Sequence, residues 1–149
     1  MVHRDSCSDL MLDNQLCFAL YSTSLLMTKV YKPLLKELGL TYPQYLAMLV
    51  LWEEDGLTVG TISSRLLTDP GSLTPLLKRL ETEGLVRRTR SDRDERSVLL
   101  TVTEKGWGLR EQAKAIPSCI VGSAGQSVEQ LMALKRQITD LRDNLNKSI

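Results

Sequence analysis

Asp69-Pro70-Gly71-Ser72-Leu73-Thr74-Pro75-Leu76-Leu77-Lys78-Arg79-Leu80-Glu81 leads, past Gly84, into Leu85-Val86-Arg87-Arg88-Thr89-Arg90. The charged run Ser91-Asp92-Arg93-Asp94-Glu95-Arg96 and then Ser97-Val98-Leu99-Leu100-Thr101-Val102 follow. The first part reads as a short helix. Asp69 suits its N-cap and Pro70 its first turn, while Leu73, Leu76, Leu77 and Leu80 recur at helical spacing on one side. Gly84 ends it. The β-branched flanks around the charged run read as a hairpin whose tip is too long for a two-residue turn.

Working outward, residues 59–66 predict another short helix with Val59, Ile62 and Leu66 inward, after a turn at Glu53-Glu54-Asp55-Gly56. Before it, Thr41 caps and Pro43 opens a helix running to Trp52. From about Leu12 to Leu38 the spacing of Leu12, Leu16, Leu20, Met27, Val30 and Leu34 predicts one long helix, which Pro33 can kink and Gly39 stops. Residues 1–9 read as a loose arm. Thr103 starts a helix expected to continue to about Val121, and residues 127–145 form the last, with Val128, Leu131, Leu134, Ile138, Leu141 and Leu145 apolar. The order is that of a mainly α chain with a small β-wing: a winged helix-turn-helix with long N- and C-terminal helices. We divide the single chain, 1–149, into a DNA-binding lobe over 41–102 and dimerisation helices over 10–38 and 103–147.

The formal net charge of +1 says little about partners, but its distribution says more. Residues 1–59 carry four basic and seven acidic side chains, whereas residues 60–110 carry ten and seven. The basic segment is the reading helix and hairpin, which points to nucleic acid. Ser72 and Thr74 near the helix start can meet phosphates or base edges, and Lys78 and Arg79 can reach the backbone or a guanine. Arg88, Arg90, Arg93 and Arg96 supply the hairpin, with a tip arginine suited to a narrowed minor groove. Few of these side chains make bidentate base contacts, so DNA shape is expected to carry part of the specificity. The apolar terminal helices exceed what so small a lobe can cover, and predict a homodimer presenting two reading helices to half-sites.

No apolar run is long enough to span a membrane and the N-terminus lacks a signal-peptide core, so a cytoplasmic protein is expected. The three cysteines, Cys7, Cys17 and Cys119, are widely spaced and odd in number, unlike a secreted disulfide framework. A single histidine, at position 3, argues against a histidine-rich metal site, and no cofactor is expected. Cys17 stands on a stripe of hydrogen-bonding groups, Asn14, Cys17, Tyr21, Ser24, Thr28 and Tyr31, at alternating spacings of three and four. A thiol among hydroxyls is either a reactive centre or a packing residue, and the pattern alone favours packing.

Five stretches change that balance: residues 12–21, 31–35, 40–47, 73–81 and 92–97. Their sequences are LDNQLCFALY, YKPLL, LTYPQYLA, LTPLLKRLE and DRDERS. With them the chain, from Leu12 to Leu145, closely resembles the MarR family of winged-helix regulators, in its organic-hydroperoxide-sensing OhrR branch. The resemblance implies a dimeric repressor that binds operator DNA when reduced and leaves it when the N-terminal-helix cysteine is oxidised. That cysteine matches Cys17, and the tyrosines that hydrogen-bond its sulfur match Tyr21 and Tyr31. Some members carry a second cysteine that forms a disulfide with the sensing cysteine of the partner subunit. Cys119 lies in that region but about one helical turn before the usual position, a shift of about 4.5 Å. Cys119 is therefore a candidate resolving thiol, alongside a small cellular thiol. Cys7 is a weaker one.

Only a thiolate attacks a peroxide oxygen efficiently, and tyrosine hydroxyls aimed at sulfur favour that form. Two other readings stand beside this one. A repressor of the same build could answer to a non-covalently held aromatic ligand between the terminal helices and the DNA-binding lobe. A thiol peroxidase is disfavoured by the absence of Cys-x-x-Cys and of any histidine near Cys17 in sequence, so no enzyme is expected.

Overall fold

The computed structural model describes residues 7–91, 93 and 97–149. Two single-turn 3-10 helices, Ser8–Leu10 and Leu12–Asn14, precede α1, Leu16–Leu38. Then come α2 (Tyr42–Glu53), β1 (Leu57–Thr58), α3 (Val59–Leu66), α4 (Pro70–Thr82), β2 (Val86–Arg90) and β3 (Val98–Val102). The chain closes with α5 (Glu104–Ala113), α6 (Ile116–Ala124) and α7 (Val128–Lys147). This is the mainly helical winged helix-turn-helix that the sequence predicts.

The core gathers around α2. Tyr45, Ala47, Met48, Val50, Leu51 and Trp52 are all buried there, which explains why this helix shows little amphipathic contrast. Thr41 and Gln44 close a reciprocal capping box at its start. Against this helix pack Ile62 of α3 and the inner row Leu73, Leu77 and Leu80 of α4, all essentially inaccessible. Full burial of each such leucine contributes about 1.5–3 kcal/mol before the entropy of ordering is set against it. As expected, Asp69 caps α4 through Ser72 N–H and Gly84 takes the left-handed conformation, φ 77°, after the helix ends.

The sheet is antiparallel in the order β1-β3-β2, with Leu57 opposite Leu100, Val86 opposite Val102 and Arg90 opposite Val98. β1 did not emerge from the sequence because two residues cannot display a period. It is held instead by Asp55, whose Oδ1 accepts from both Gly56 N (3.0 Å) and Val102 N (2.8 Å).

Three boundaries differ from expectation. The first helix begins at Leu16 rather than Leu12. Asn14 Nδ2 donates to Ser8 O and Gln15 Nε2 to Asp9 O, both at 2.7 Å, folding the arm from Ser8 onward back over the helix start. Pro33 neither ends nor divides α1, since Leu34, Leu35 and Leu38 on the following turns are held by the core. The predicted helix over 103–121 is broken in two. Pro117 has no N–H to give Ala113 O, so α5 stops at Ala113 and α6 restarts with proline in its first turn.

α5 is pinned to the lobe at Gly106, whose carbonyl accepts from Trp52 Nε1 at 3.0 Å. A Cβ there would run into Leu85 O and stand 2.6 Å from Val102 Cγ1. We expect Gly106→Ala to cost about 1–3 kcal/mol through overpacking, read as a lower urea midpoint with the slope unchanged. Stability equal to the parent would contradict the close packing.

Candidate redox site and nucleic-acid interface

Cys17 sits in the first turn of α1, exposed, as a free thiol, and its sulfur has no hydrogen-bond partner among the described residues. The helix explains the exposure. α1 is anchored by its C-terminal third, where Leu35 is buried and Tyr31, Leu34 and Leu38 pack on the core. Its first two-thirds leave Leu16, Tyr21, Leu25, Leu26 and Met27 exposed. α7 buries no residue at all along twenty, and leaves Val128, Met132, Leu134, Ile138 and Leu145 exposed. So many large apolar side chains left exposed along two helices are what an interaction face presents.

The polar stripe is shorter than the sequence suggests. Asn14 lies outside α1 and is spent on Ser8 O, while Thr28 Oγ1 donates to Ser24 O at 2.9 Å. Tyr21 is one turn from Cys17 and 64% exposed, with no hydrogen bond to it. Tyr31 is fourteen residues on, which along a helix is about 21 Å. It therefore cannot serve Cys17 of its own chain. Instead it joins an aromatic cluster with Tyr42 (ring centroids 5.0 Å, 53°) and Tyr45 (5.9 Å, 45°), tilted pairs of the favoured kind. Burial raises the pKa of Tyr31 above the ordinary 10.0, and its neighbours Tyr42 and Tyr45 add to that. Burial does the same to Tyr42, and to Tyr45 with a further push from Tyr42. All three stay phenols, and so hydroxyl donors, at neutral pH. Cys119 lies exposed and free on α6, a helix that packs against α1.

Away from its buried leucine row, α4 presents an outer face with Ser72, Thr74, Lys78 and Arg79. Ser72 Oγ donates to Asp69 Oδ2 (2.8 Å) and Thr74 Oγ1 to Pro70 O (2.8 Å), so each hydroxyl faces outward chiefly as an acceptor. The hydrogen bond from the Ser72 hydroxyl, then that from its backbone N–H, holds the Asp69 carboxyl below its ordinary range. Lys78 is exposed, and Arg79 spans one turn to Glu83 at 3.5 Å. On the hairpin, Arg90 and Arg93 are exposed; Arg96 and its neighbours Asp92, Asp94 and Glu95 lie outside the described residues. Ser91 N donates to Ser97 O across the root of the tip. Arg88 differs from the others: it shares the inward face of β2 with buried Val86 and turns to Glu81 of α4, Nε to Oε2 3.1 Å. Arg87, on the opposite face, is the exposed one. Strand alternation from Val86 could have distinguished the two in the sequence.

A reading helix seated on the core by one leucine row, a basic wing beside it and two apolar helices left largely uncovered define a winged helix-turn-helix regulator of transcription. The family described as "Transcriptional regulator SarA/Rot" matches residues 29–112. The organic hydroperoxide resistance transcriptional regulator of Bacillus subtilis (strain 168) is 52% identical over 136 residues, 91% of this chain and 92% of that one. Among solved structures, reduced AbfR bound to DNA is 37% identical, with a TM-score of 0.77 over 91% of this chain and 93% of the other. AbfR, from Staphylococcus epidermidis, also matches in a disulfide-formed state at 37% identity, with a TM-score of 0.62 over 91% and 90%. The chain belongs to this MarR-type family of winged-helix transcriptional regulators, on its organic-hydroperoxide-regulator side.

The tyrosine cluster gives a test with a definite sign. A phenol whose folded pKa exceeds its unfolded value keeps its proton longer in the fold, so its contribution to stability is lost as pH rises past 10.0. We expect ultraviolet titration to show Tyr31, Tyr42 and Tyr45 ionising above 10.0, and Tyr42→Phe to bring Tyr31 down. A Tyr31 midpoint at the ordinary value, unmoved by that substitution, would contradict the cluster.

Proposed function

We propose that this chain is a homodimeric redox-sensing repressor, which holds operator DNA while Cys17 is reduced and releases it when an organic hydroperoxide oxidises Cys17. The observation that carries this reading is the placement of Cys17: an accessible thiol, unbonded among the described residues, at the start of a helix whose first two-thirds leave Leu16, Leu25, Leu26 and Met27 exposed. A second copy laid on α1 and α7 would bury those leucines and enclose the sulfur in an apolar site that admits an alkyl hydroperoxide more readily than a polar oxidant. It would also resolve the position of Tyr31. Out of reach within one chain, the hydroxyl would approach Cys17 from the other copy, joining Tyr21 as a donor that favours thiolate. The named states of the AbfR relative, reduced and overoxidized forms bound to DNA and a disulfide-formed state, support a thiol in such a regulator that passes through several oxidation states.

The chemistry balances simply. The Cys17 thiolate attacks one peroxide oxygen, the O–O bond breaks, and the alkoxide leaves and takes a proton as an alcohol. Sulfur is oxidised to sulfenic acid. Condensation with a second thiol, from Cys119 of the other copy or a small cellular thiol, forms the disulfide and expels water. One turnover suffices for a switch, so no enzymatic cycle is needed. On the DNA side, Ser72, Thr74, Lys78 and Arg79 of α4 would enter the major groove, with Arg90, Arg93 and Arg96 on the flanking backbone and minor groove. The groove of about 940 Å³ among α1, α2 and α4, lined by Lys32, Tyr42, Leu76 and Arg79 among others, is where a ligand-controlled repressor would be addressed. That reading assigns no role to Cys17 and is not favoured.

The test follows release of a duplex selected from a random pool by the reduced protein. With an alkyl hydroperoxide, the parent should lose about 10–100-fold in affinity, whereas Cys17→Ser should bind as before and stay bound. Equal release from the serine variant would refute the assignment. Non-reducing mass analysis of the oxidised parent should show a Cys17–Cys119 cross-link between copies or an adduct of added small thiol at Cys17.

A further inference from the structure

The C-terminal end of α4 is tied down from two sides. From the wing, Arg88 Nε stands 3.1 Å from Glu81 Oε2. From α5, Lys105 Nζ donates to Glu83 O at 2.8 Å, and Thr103 Oγ1 donates to Gly84 O at 2.6 Å. Two cations thus meet the negative end of the helix dipole, beside a glutamate that would otherwise be unfavourable there. Arg88 is also committed. It lies on the core side of β2 with Val86, and its Nε and Nη2 are both shut off from solvent without a well-aligned hydrogen bond. Its charge is met by Glu81 at ion-pair distance, and the pair lies on the wall of an open groove of about 860 Å³ that Val86, Thr103, Glu104 and Lys105 also line.

We propose that Arg88 is a positioning residue rather than a DNA contact: paired with Glu81, it fixes the angle between the reading helix and the wing. This rests on the DNA-binding reading above. An arginine that donates to a phosphate releases counterions, and its removal lowers the salt dependence of binding. A positioning arginine leaves that dependence intact, because every phosphate contact is still made, only less well aligned. Loss of Glu81 should then mimic loss of Arg88, although removing a carboxylate near DNA would otherwise strengthen binding.

The experiment measures affinity against salt concentration for the selected duplex with Arg88→Gln, Glu81→Gln and the exchanged pair Glu81→Arg/Arg88→Glu. We expect each single variant to bind about tenfold more weakly with the parent's salt slope, and the exchanged pair to recover most of that loss. A slope reduced by about one in Arg88→Gln, with Glu81→Gln binding as well as the parent, would overturn the proposal. So would failure of the exchanged pair to recover. Amide hydrogen exchange across Val86–Arg90 supplies a readout without DNA, and should be faster in both single variants. Should the parent select no duplex at all, the DNA-binding reading fails. Unchanged β2 protection would then still overturn the pairing.

Discussion

The reading helix is held by the burial of one row of leucines. Leu73, Leu77 and Leu80 insert against α2 and the sheet, and their near-zero exposure leaves α4 one orientation in which its polar side points outward. Everything on the nucleic-acid side inherits its position from that contact. Asp69 and Ser72 set the exposed start of the helix, while Arg88, Lys105 and Thr103 secure its end. α5 is bolted to the same core through Trp52 and Gly106. Through α5 the lobe is continuous with the last helices, so movement there need not cross a flexible linker to reach α4.

The opposite condition holds at the chain's two ends. Among the described residues, α1 is anchored to the core chiefly by its last turns and no residue of α7 is fully buried, which leaves a large apolar surface exposed. In the proposed dimer, a helix pinned to its own core at one end and covered by a second copy at the other is well suited to transmit a chemical change at Cys17. A sulfenic acid or disulfide at that thiol would alter the shape and hydrogen-bond needs of the face that a second copy would cover. The coupling is of the kind in which modification biases an interface between two arrangements, rather than deforming a rigid core.

Much of the fold was legible because its signals were local. Thr41, Asp69, Thr103 and Ser127 cap helices, Gly39 and Gly84 end them, and the spacing of Leu73, Leu77 and Leu80 marks an inner face. What escaped depended on contacts distant in sequence. β1 exists because Asp55 reaches Val102, and the late start of α1 reflects Asn14 and Gln15 turning back onto the arm. The break before Pro117 was locally readable through its missing N–H, but the apolar run over Ile116, Ile120 and Val121 disguised it. At the site, Cys17 was visible as a residue, but its relation to Tyr31 was not. Helical periodicity puts the two on one side, and the helical rise, equally readable from the residue count, sets them about 21 Å apart, so any pairing would need a second chain that one sequence does not display. The different settings of Arg87 and Arg88 were hidden for a related reason, since a run of basic residues reads as one surface whereas a strand turns neighbours to opposite faces.

The most direct measurement of the central claim follows, in one solution, sulfenic-acid labelling at each cysteine and release of fluorescent duplex while hydroperoxide is added below one equivalent. Label and then disulfide should accumulate at Cys17 and rise in proportion to the DNA released. Release that runs ahead of any modification of Cys17, or that tracks Cys7 or Cys119 instead, would contradict the claim.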